Sequence, residues 1–196
     1  MFYQICRSLL RFFFSVFCRW QVEGEDNLPQ EGPVLVIANH FSYWDPVAVA
    51  CALGRQVHFM AKSELFSYPV LGFLIKNLGA FPVSRQRRLD RQALKMALTL
   101  LDEGKVVSLF PEGTRSKTGE LLPPLPGVAF LAQKADVPIC PVALLRKKRF
   151  FGNNLFPCYH VKVGEVFTIE KTGKRDYQAD ADFMMAKIKE LIESSI

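Results

Sequence analysis

The sequence lacks the marks of several common protein classes. Its five cysteines are odd in number and scattered along 196 residues, and none belongs to a Cys-x-x-Cys pair. This usage argues against a disulfide framework and a zinc site, and indicates a reducing compartment. No cluster of His, Cys, Asp and Glu has metal-ligand spacing, no nucleic-acid-binding signature is present, and there are no repeats or low-complexity segments. The sequence therefore predicts one domain with no metal or other cofactor and no nucleic-acid partner.

The chain also lacks an apolar run long enough to cross a membrane. The stretch Phe12–Cys18 is much shorter than the roughly 20 residues of a spanning helix, and no small-x-small cleavage site follows it. Six polar side chains instead gather within an arc of roughly 120° on a helical wheel: Gln4, Arg7, Ser8, Arg11, Ser15 and Arg19. This pattern predicts an amphipathic helix over residues 1–20 that lies in the membrane interface; a helix packed on the core is the alternative.

Positive charge is in excess. Lys and Arg number 25 against 19 Asp and Glu, which gives a net charge of +6. Such an excess favours a negatively charged partner, and anionic lipid, a phosphorylated substrate, an acidic carrier protein and nucleic acid all qualify on charge alone. Four cations and two Phe rings in Arg146–Phe151 form either a contact with lipid or carrier protein or a solvated loop.

Predicted strands and helices alternate along the rest of the chain. Apolar, β-branched runs predict strands near residues 33–38, 57–61, 80–83, 106–109, 139–145 and 159–167. Helical patterns lie near residues 46–53, 64–77, 89–101, up to 135, and 177–193. Alternation of this kind is typical of an α/β fold, so residues 21–196 are predicted to form a single α/β domain.

An imidazole and a carboxylate follow the first predicted strand. His40 and Asp45 are five residues apart, and five residues rotate a helix by about 500°, so they cannot share one helix face. A loop that folds back would let the carboxylate accept a proton from one ring nitrogen and leave the other as a base toward a substrate hydroxyl. The spacing predicts His40 as the base and Asp45 as its orienter. The alternatives are a satisfied polar histidine and, because Pro46 follows, a helix N-cap.

A polar motif follows the strand at Val106–Leu109. Strand ends in α/β sheets are where ligands bind. In this motif Gly113 permits a tight turn, and the side chains that follow it, Thr114, Arg115 and Ser116, suit a phosphate monoester. The alternative is a polar turn with a solvated arginine.

A third segment, Gly79–Arg85, is a short apolar run that ends in Ser-Arg. Arg85 would lie at the same end of the sheet, where two guanidinium groups could clamp one phosphate. Alternatively, Arg85 opens a basic run at the solvated start of the next helix.

Taken in order, these segments resemble the glycerolipid acyltransferase family typified by 1-acylglycerol-3-phosphate O-acyltransferase. The His-x₄-Asp motif of the family matches His40 and Asp45, and its Gly-to-Arg motif matches Gly79–Arg85. Its Glu-Gly-Thr-Arg motif matches Glu112–Arg115, and its apolar Val-Pro-Ile motif matches Val137–Val142.

The resemblance implies an α/β fold with a mixed sheet and direct acyl transfer from a thioester, without a covalent acyl-enzyme or a metal. His40 and Asp45 would then be catalytic, and the acceptor would be held by Lys62, Arg85, Glu112, Gly113, Thr114 and Arg115. Within that set, Arg85 and Arg115 would bind the phosphate, Glu112 would orient an acceptor hydroxyl or an arginine, and Lys62 would be a candidate to stabilise the oxyanion. The segment Val137–Val142 would line an acyl path.

The expected reaction moves an acyl chain from acyl-coenzyme A or acyl-carrier protein to the sn-2 hydroxyl of a lysophospholipid, 1-acyl-glycerol-3-phosphate, and makes phosphatidic acid. The protein would work as a peripheral or monotopic protein on the cytoplasmic face of a membrane. The alternatives are transfer to glycerol 3-phosphate or a lyso-aminolipid, and a lipid-binding surface protein without turnover.

Overall fold

The computed structural model describes residues 1–17, 20–84, 90–147, 158–169 and 176–194. The strands in it are β1 (Gln21–Glu23), β2 (Val34–Ala38), β3 (Val57–Lys62), β4 (Phe81–Val83), β5 (Val106–Leu109), β6 (Ile139–Lys147) and β7 (Cys158–Val163). The α-helices are α1 (Phe2–Phe17), α2 (Asp45–Ala52), α3 (Pro69–Asn77), α4 (Arg91–Asp102), α5 (Gly127–Ala135) and α6 (Tyr177–Glu193). Short 3₁₀ helices cover Glu25–Asn27 and Ser63–Ser67.

The seven strands form one mixed sheet in the order β1-β7-β6-β2-β5-β3-β4. Strand β2 lies near the centre and pairs in parallel with β5 on one side and β6 on the other, and the antiparallel pair is β6 with β7. The predicted α/β fold with a mixed sheet flanked by helices is therefore confirmed. Because β2 and β5 are parallel neighbours, the loops that follow them lie side by side at the carboxyl edge of the sheet.

The sheet separates two apolar layers. Along β2 the side chains alternate between them, as the two-residue period of a strand requires: Leu35 and Ile37 join the layer under α4, α5 and α6, whereas Val34 and Val36 join the layer under α2. All residues of β2 are fully buried. A strand covered on both faces reads as a continuous apolar run, which is why this one was visible in the sequence.

Most predicted elements are present, and the differences lie at their ends. In addition, the strand β1 was not predicted, because its one apolar residue, Val22, lies between two polar ones and forms no apolar run. The last strand is shorter than predicted: it ends at Val163, and Phe167 returns to the sheet through an isolated antiparallel bridge to Ile139. The segment Arg146–Phe151, proposed as a lipid or carrier-protein contact, lies largely outside the described residues.

Helix α1 docks on the domain through one side. Phe14 is fully buried and stacks on Trp20 at a centroid distance of 5.2 Å. The Tyr3 hydroxyl accepts a hydrogen bond from the Val57 amide over 3.2 Å. Arg11 makes a two-pronged ion pair with Glu25, with N–O distances of 2.7 and 2.9 Å. The polar stripe of the helix thus faces the protein at Arg11 rather than lipid, and α1 is part of the core structure.

The opposite side of α1 is apolar and exposed. The residues on it that present a large exposed hydrophobic side chain are Phe2, Ile5, Leu9, Phe12, Val16 and Phe17; we call this set the outer face of α1. One helix therefore has both a docked side and an exposed apolar side, and the interfacial role of the exposed side stays a prediction. Of the helices that the structure describes, none combines the length and apolarity needed to cross a bilayer.

Candidate active site

The site begins at the carboxyl end of β2, where Asn39 holds the chain against β6. The Asn39 side-chain amide donates to the Leu144 carbonyl over 3.0 Å, and its oxygen accepts from the Leu144 amide over 2.7 Å. This pair of bonds extends the contact between the strands by one residue through a side chain. The following residue, His40, is consequently presented at the edge of the sheet in a fixed direction.

His40 and Asp45 are in direct contact. The Nδ1 atom of His40 lies 2.7 Å from the Oδ2 atom of Asp45, and both side chains are buried. A carboxylate only accepts hydrogen bonds, so this contact places the ring proton on Nδ1 and leaves a lone pair on Nε2. Among the described residues, none forms a hydrogen bond with Nε2. The geometry is that of a base whose tautomer is set by a carboxylate.

The Asp45 side chain is 0% exposed, and its carboxylate accepts several hydrogen bonds. Its Oδ2 atom also accepts from the amides of Phe41 and Ser42, over 2.6 and 2.7 Å, and its Oδ1 atom accepts from the Tyr159 hydroxyl over 2.6 Å. Asp45 is the first residue of α2, and the N-cap position belongs to Trp44 without a side-chain bond. The N-cap alternative for Asp45 is therefore wrong: its carboxylate faces back to the His40 loop.

Three further contacts fix the His40 ring and its backbone. The ring stacks on Phe110 at a centroid distance of 4.0 Å. The His40 amide donates to Glu112 Oε1 over 2.8 Å, and the His40 carbonyl accepts from the Ser116 amide over 2.7 Å. Residues 110–116 follow β5, so the loop after one strand immobilises the loop after its neighbour.

Glu112 bonds to backbone amides, whereas the predicted partner was an acceptor hydroxyl or an arginine. Besides the His40 amide, it accepts the Leu122 amide on Oε2 over 3.1 Å, so each carboxylate oxygen is engaged by backbone. Burial raises the pKa of Glu112, although these two amide bonds act to lower it. The contacts seen are thus with the chain itself rather than with an arginine, and Glu112 ties the His40 loop to the loop at Leu122.

The turn at Gly113 requires glycine. Its φ is +65°, a left-handed conformation that residues with a Cβ atom rarely adopt, and a Cβ atom there would also displace the end of the exposed Leu125 side chain, 2.4 Å away. The turn leaves Thr114 exposed and places the Arg115 guanidinium 3.5 Å from the centroid of the Tyr43 ring. Arg115 therefore rests on the loop between His40 and Asp45, and its binding of phosphate stays a prediction.

The other predicted site residues fall in different places. Lys62 ends β3, is 47% exposed and pairs with Glu64 at 3.0 Å. Arg85 lies outside the described residues. The prediction that Val137–Val142 lines an acyl path is wrong for the strand: Ile139, Cys140 and Val142 are fully buried in β6 and pack within the two layers of the core.

Sequence reasoning missed Tyr159, Asn39 and Phe110 as parts of the site. Asn39 and Phe110 each flank a motif that was recognised, and position next to a motif was the available signal. No sequence signal marked Tyr159, because it is 114 residues from Asp45 along the chain. The two residues meet only because of the order of the strands in the sheet.

The fold and these contacts define an α/β enzyme with a buried His–Asp pair at the carboxyl edge of its sheet. Residues 19–145 match the model of the Acyltransferase family. The match spans more than half of the chain and includes both the His40–Asp45 segment and the Glu112–Arg115 segment. The chain belongs to the Acyltransferase family, and the protein is an acyltransferase; the resemblance seen in the sequence is confirmed.

Individual relatives agree. The chain is 32% identical over 142 residues to the 1-acyl-sn-glycerol-3-phosphate acyltransferase of Bacillus subtilis, with 72% of this chain and 70% of the relative covered. It is 34% identical to a chloroplastic protein of that name from Brassica napus (66% and 38% covered) and 30% identical to the human beta form (72% and 51% covered). The chain thus spans about two fifths to seven tenths of these relatives.

A solved structure has the same fold. The 1-acyl-sn-glycerophosphate acyltransferase PlsC of Thermotoga maritima superimposes with a TM-score of 0.74 at 20% identity, covering 98% of this chain and 81% of the other. The likeness includes nearly the whole chain, α1 among it, and supports the architecture described above.

Proposed function

We propose that the protein transfers an acyl chain from an acyl thioester to the sn-2 hydroxyl of 1-acyl-glycerol-3-phosphate and so makes phosphatidic acid. The observation that carries the proposal is the His40–Asp45 contact of 2.7 Å at the sheet edge, with the Arg115 guanidinium stacked on Tyr43 of the loop that joins them. A base for a hydroxyl and a cation for a phosphate are the two groups that this acceptor requires. The names of the three relatives support the same acceptor.

The chemistry follows from the orientation of His40. Its Nε2 atom removes the proton of the acceptor hydroxyl as that oxygen attacks the thioester carbonyl, with Asp45 stabilising the imidazolium. The C–S bond then breaks, the new ester C–O bond remains, and the imidazolium returns the proton to the leaving thiolate. The reaction needs no cofactor, since acyl-coenzyme A or acyl-carrier protein enters as a co-substrate.

Two buried thiols are poor nucleophiles. Burial raises the pKa of Cys51 to about 11 and that of Cys140 to about 12, so neither offers a thiolate that would carry the acyl chain as a covalent intermediate. General base catalysis contributes about 10²- to 10⁴-fold. Stabilisation of the tetrahedral oxyanion adds to this, and Lys62 is the proposed cation for it, after release from Glu64.

The phosphate of the acceptor is assigned to Arg115, with Thr114 beside it and Arg85 as a second proposed partner. A guanidinium binds a phosphate through two parallel hydrogen bonds. Stacking on Tyr43 holds the guanidinium plane beside the His40 loop, so the phosphate and the reacting hydroxyl would be held at neighbouring points.

Arg115→Ala is expected to lower kcat/KM for the phosphate-bearing acceptor by roughly 10- to 150-fold, the loss that corresponds to one charge-assisted bond. The KM of the acyl donor should change little. Lys117→Ala, which removes an exposed cation two residues away, is the matched control and should stay near wild type. An equal loss with a phosphate-free lysolipid would contradict the assignment.

A comparison of acceptors tests the function itself. Purified protein is given acyl-coenzyme A or acyl-carrier protein with lysophosphatidic acid, glycerol 3-phosphate or a lyso-aminolipid, and the lipid products are identified by mass spectrometry. Phosphatidic acid should form at the highest kcat/KM. Preference for another acceptor would assign a different acyltransferase, and lipid binding without transfer from any donor would reject the proposal.

We propose further that the outer face of α1 lies in the interface of the membrane that holds the acceptor, on the cytoplasmic side. Its bulky side chains are exposed, and the docked side of the helix fixes it parallel to the domain surface. An amphipathic helix of this kind binds by burying its apolar face in the headgroup region.

Replacing Leu9 and Phe12 together by Ser is expected to weaken partition into phosphatidylglycerol-containing vesicles by roughly 10- to 100-fold, because two largely exposed apolar side chains no longer enter lipid. Flotation of the vesicles measures it. The control is Met96→Ser, which alters an exposed apolar residue on α4 and should leave partition unchanged. Unaltered partition of the Leu9 and Phe12 variant would exclude this face as the contact.

A further inference from the structure

Tyr159 lies on β7, which is separated from β2 by β6, and its hydroxyl reaches the Asp45 carboxylate. Strand β7 runs antiparallel to β6, with Tyr159 opposite Arg146, and β6 runs parallel to β2 with Val142 opposite Ala38. Tyr159 therefore lies beyond the end of β2, at the level where the chain has left the sheet for the His40 loop. This topology brings a phenol hydroxyl to the buried carboxylate.

The two oxygens of Asp45 have separate partners. Oδ2 receives Nδ1 of His40 and two backbone amides, as described above, whereas Oδ1 receives the Tyr159 hydroxyl over 2.6 Å. Among the described residues no other donor bonds Oδ1. The side chains of Asp45 and Tyr159 are both 0% exposed, so water does not reach the carboxylate to replace a donor that is lost.

The direction of the Tyr159 hydroxyl is set by packing. Its ring stacks on Phe41 at a centroid distance of 5.7 Å and meets the edge of Phe14 at 6.4 Å. Phe41 belongs to the catalytic loop and Phe14 to α1, so the phenol is fixed between two elements. A ring held in this way cannot follow the carboxylate if the carboxylate turns, and so it resists that turn.

We propose that Tyr159 is a positioning residue of the His40–Asp45 pair: its hydroxyl holds Oδ1 so that Oδ2 stays aimed at the imidazole. The inference rests on the proposed function, in which His40 is the base. A carboxylate rotates about its Cβ–Cγ bond, and rotation would carry Oδ2 away from Nδ1. Because Tyr159 holds Oδ1 and His40 holds Oδ2, the carboxylate keeps the orientation that its bond to the imidazole needs. Its negative charge is also stabilised by a side-chain donor other than the imidazole.

Removal of the Tyr159 hydroxyl affects the His40 imidazole in a way that a general loss of protein stability would not. A carboxylate with one donor fewer holds the proton of the imidazolium more strongly, because its charge is less satisfied by other bonds. The imidazolium of His40 is then stabilised relative to that of the wild type. The charged or titratable groups that face it are Asp45 on α2, Tyr159 on β7 and Glu112 after β5; Glu112 keeps its two backbone donors when Tyr159 is changed.

Tyr159→Phe tests the proposal because it keeps the ring and removes one atom. We expect kcat with lysophosphatidic acid and acyl-coenzyme A to fall about 10- to 100-fold, in line with the loss of a hydrogen bond to a buried charge. The KM values should change less than threefold. The acid limb of the pH profile of kcat/KM should move up by roughly 0.5 to 1 pH unit.

Tyr3→Phe is the matched control. Tyr3 is also a buried tyrosine, and its hydroxyl bonds backbone at Val57 and Arg55 on the other end of α1. This variant should lose stability to a comparable extent, and its pH profile should coincide with that of the wild type.

The outcomes are distinguishable. A wild-type protein without acyl transfer would overturn the proposed function and with it this inference. An active wild type with a Tyr159→Phe variant of unaltered rate would overturn the inference alone. A slower variant whose acid limb stays at the wild-type pH would also overturn it, since that result would reflect a general loss of stability. A slower variant with the shifted limb, against an unshifted Tyr3→Phe profile, supports it.

Discussion

His40→Ala is expected to reduce the turnover number for acyl transfer by about 10²- to 10⁴-fold while the protein remains folded. The substitution removes Nε2, the ring nitrogen that Asp45 does not engage, while the buried surface lost with the His40 ring is small beside the two apolar layers of the core. Circular dichroism and thermal unfolding should show a cooperative transition near that of the wild type.

The control for this prediction is another histidine. His58 lies in β3, where its Nδ1 atom is 2.9 Å from the Gly79 carbonyl, and burial lowers its pKa. His58→Ala should retain most of the activity, because its ring serves the loop at Gly79. A His40→Ala protein with more than about a tenth of the wild-type turnover would contradict general base catalysis at this residue.

Phe14→Ala is expected to lower the free energy of unfolding by about 3–5 kcal/mol, the usual cost of removing a buried phenyl ring. For a chain of this size the midpoint of thermal unfolding should fall by roughly 6–20 °C. Phe14 is fully buried and, beyond its own helix, contacts the aromatic rings of Trp20, Trp44 and Tyr159. Its loss would therefore leave a cavity between α1 and the catalytic loop.

Phe12→Ala is the matched variant on the same helix. Phe12 is 69% exposed, so in the absence of lipid its removal should change the free energy of unfolding by less than about 0.5 kcal/mol. Equal stability of the two variants would show that α1 is not docked in solution. Because of Phe14, removal of the whole helix would uncover the core, and single outer-face variants are the better test of membrane contact.

Local spacing was enough to predict the His–Asp pair. His40 and Asp45 lie in one short loop, so their contact depends on a turn of five residues and on the strand before it. The same holds for Gly113, whose positive φ belongs to a local turn. Features of this kind are encoded within a few residues, and the order of the motifs was enough to identify the family.

Contacts across the sheet were beyond the reach of the sequence. Tyr159 meets Asp45 because β7 turns back along β6, and Glu112 holds the His40 amide because β5 is the neighbour of β2. Burial of Val137–Val142 follows from the central place of β6, while an apolar run by itself fits a core strand and an acyl path equally. The amphipathic pattern of α1 was similarly ambiguous, since one helix has both a docked and an exposed apolar side.

The central claim is that this site joins a thioester donor directly to a lysophosphatidic acid acceptor. The most direct measurement follows thiol release and phosphatidic acid formation together, using purified wild-type protein, acyl-coenzyme A and isotopically labelled 1-acyl-glycerol-3-phosphate. The account predicts one labelled phosphatidic acid, acylated at sn-2, for each thiol released, and no release without acceptor. Thiol release that yields free fatty acid, or the absence of labelled phosphatidic acid, would contradict it.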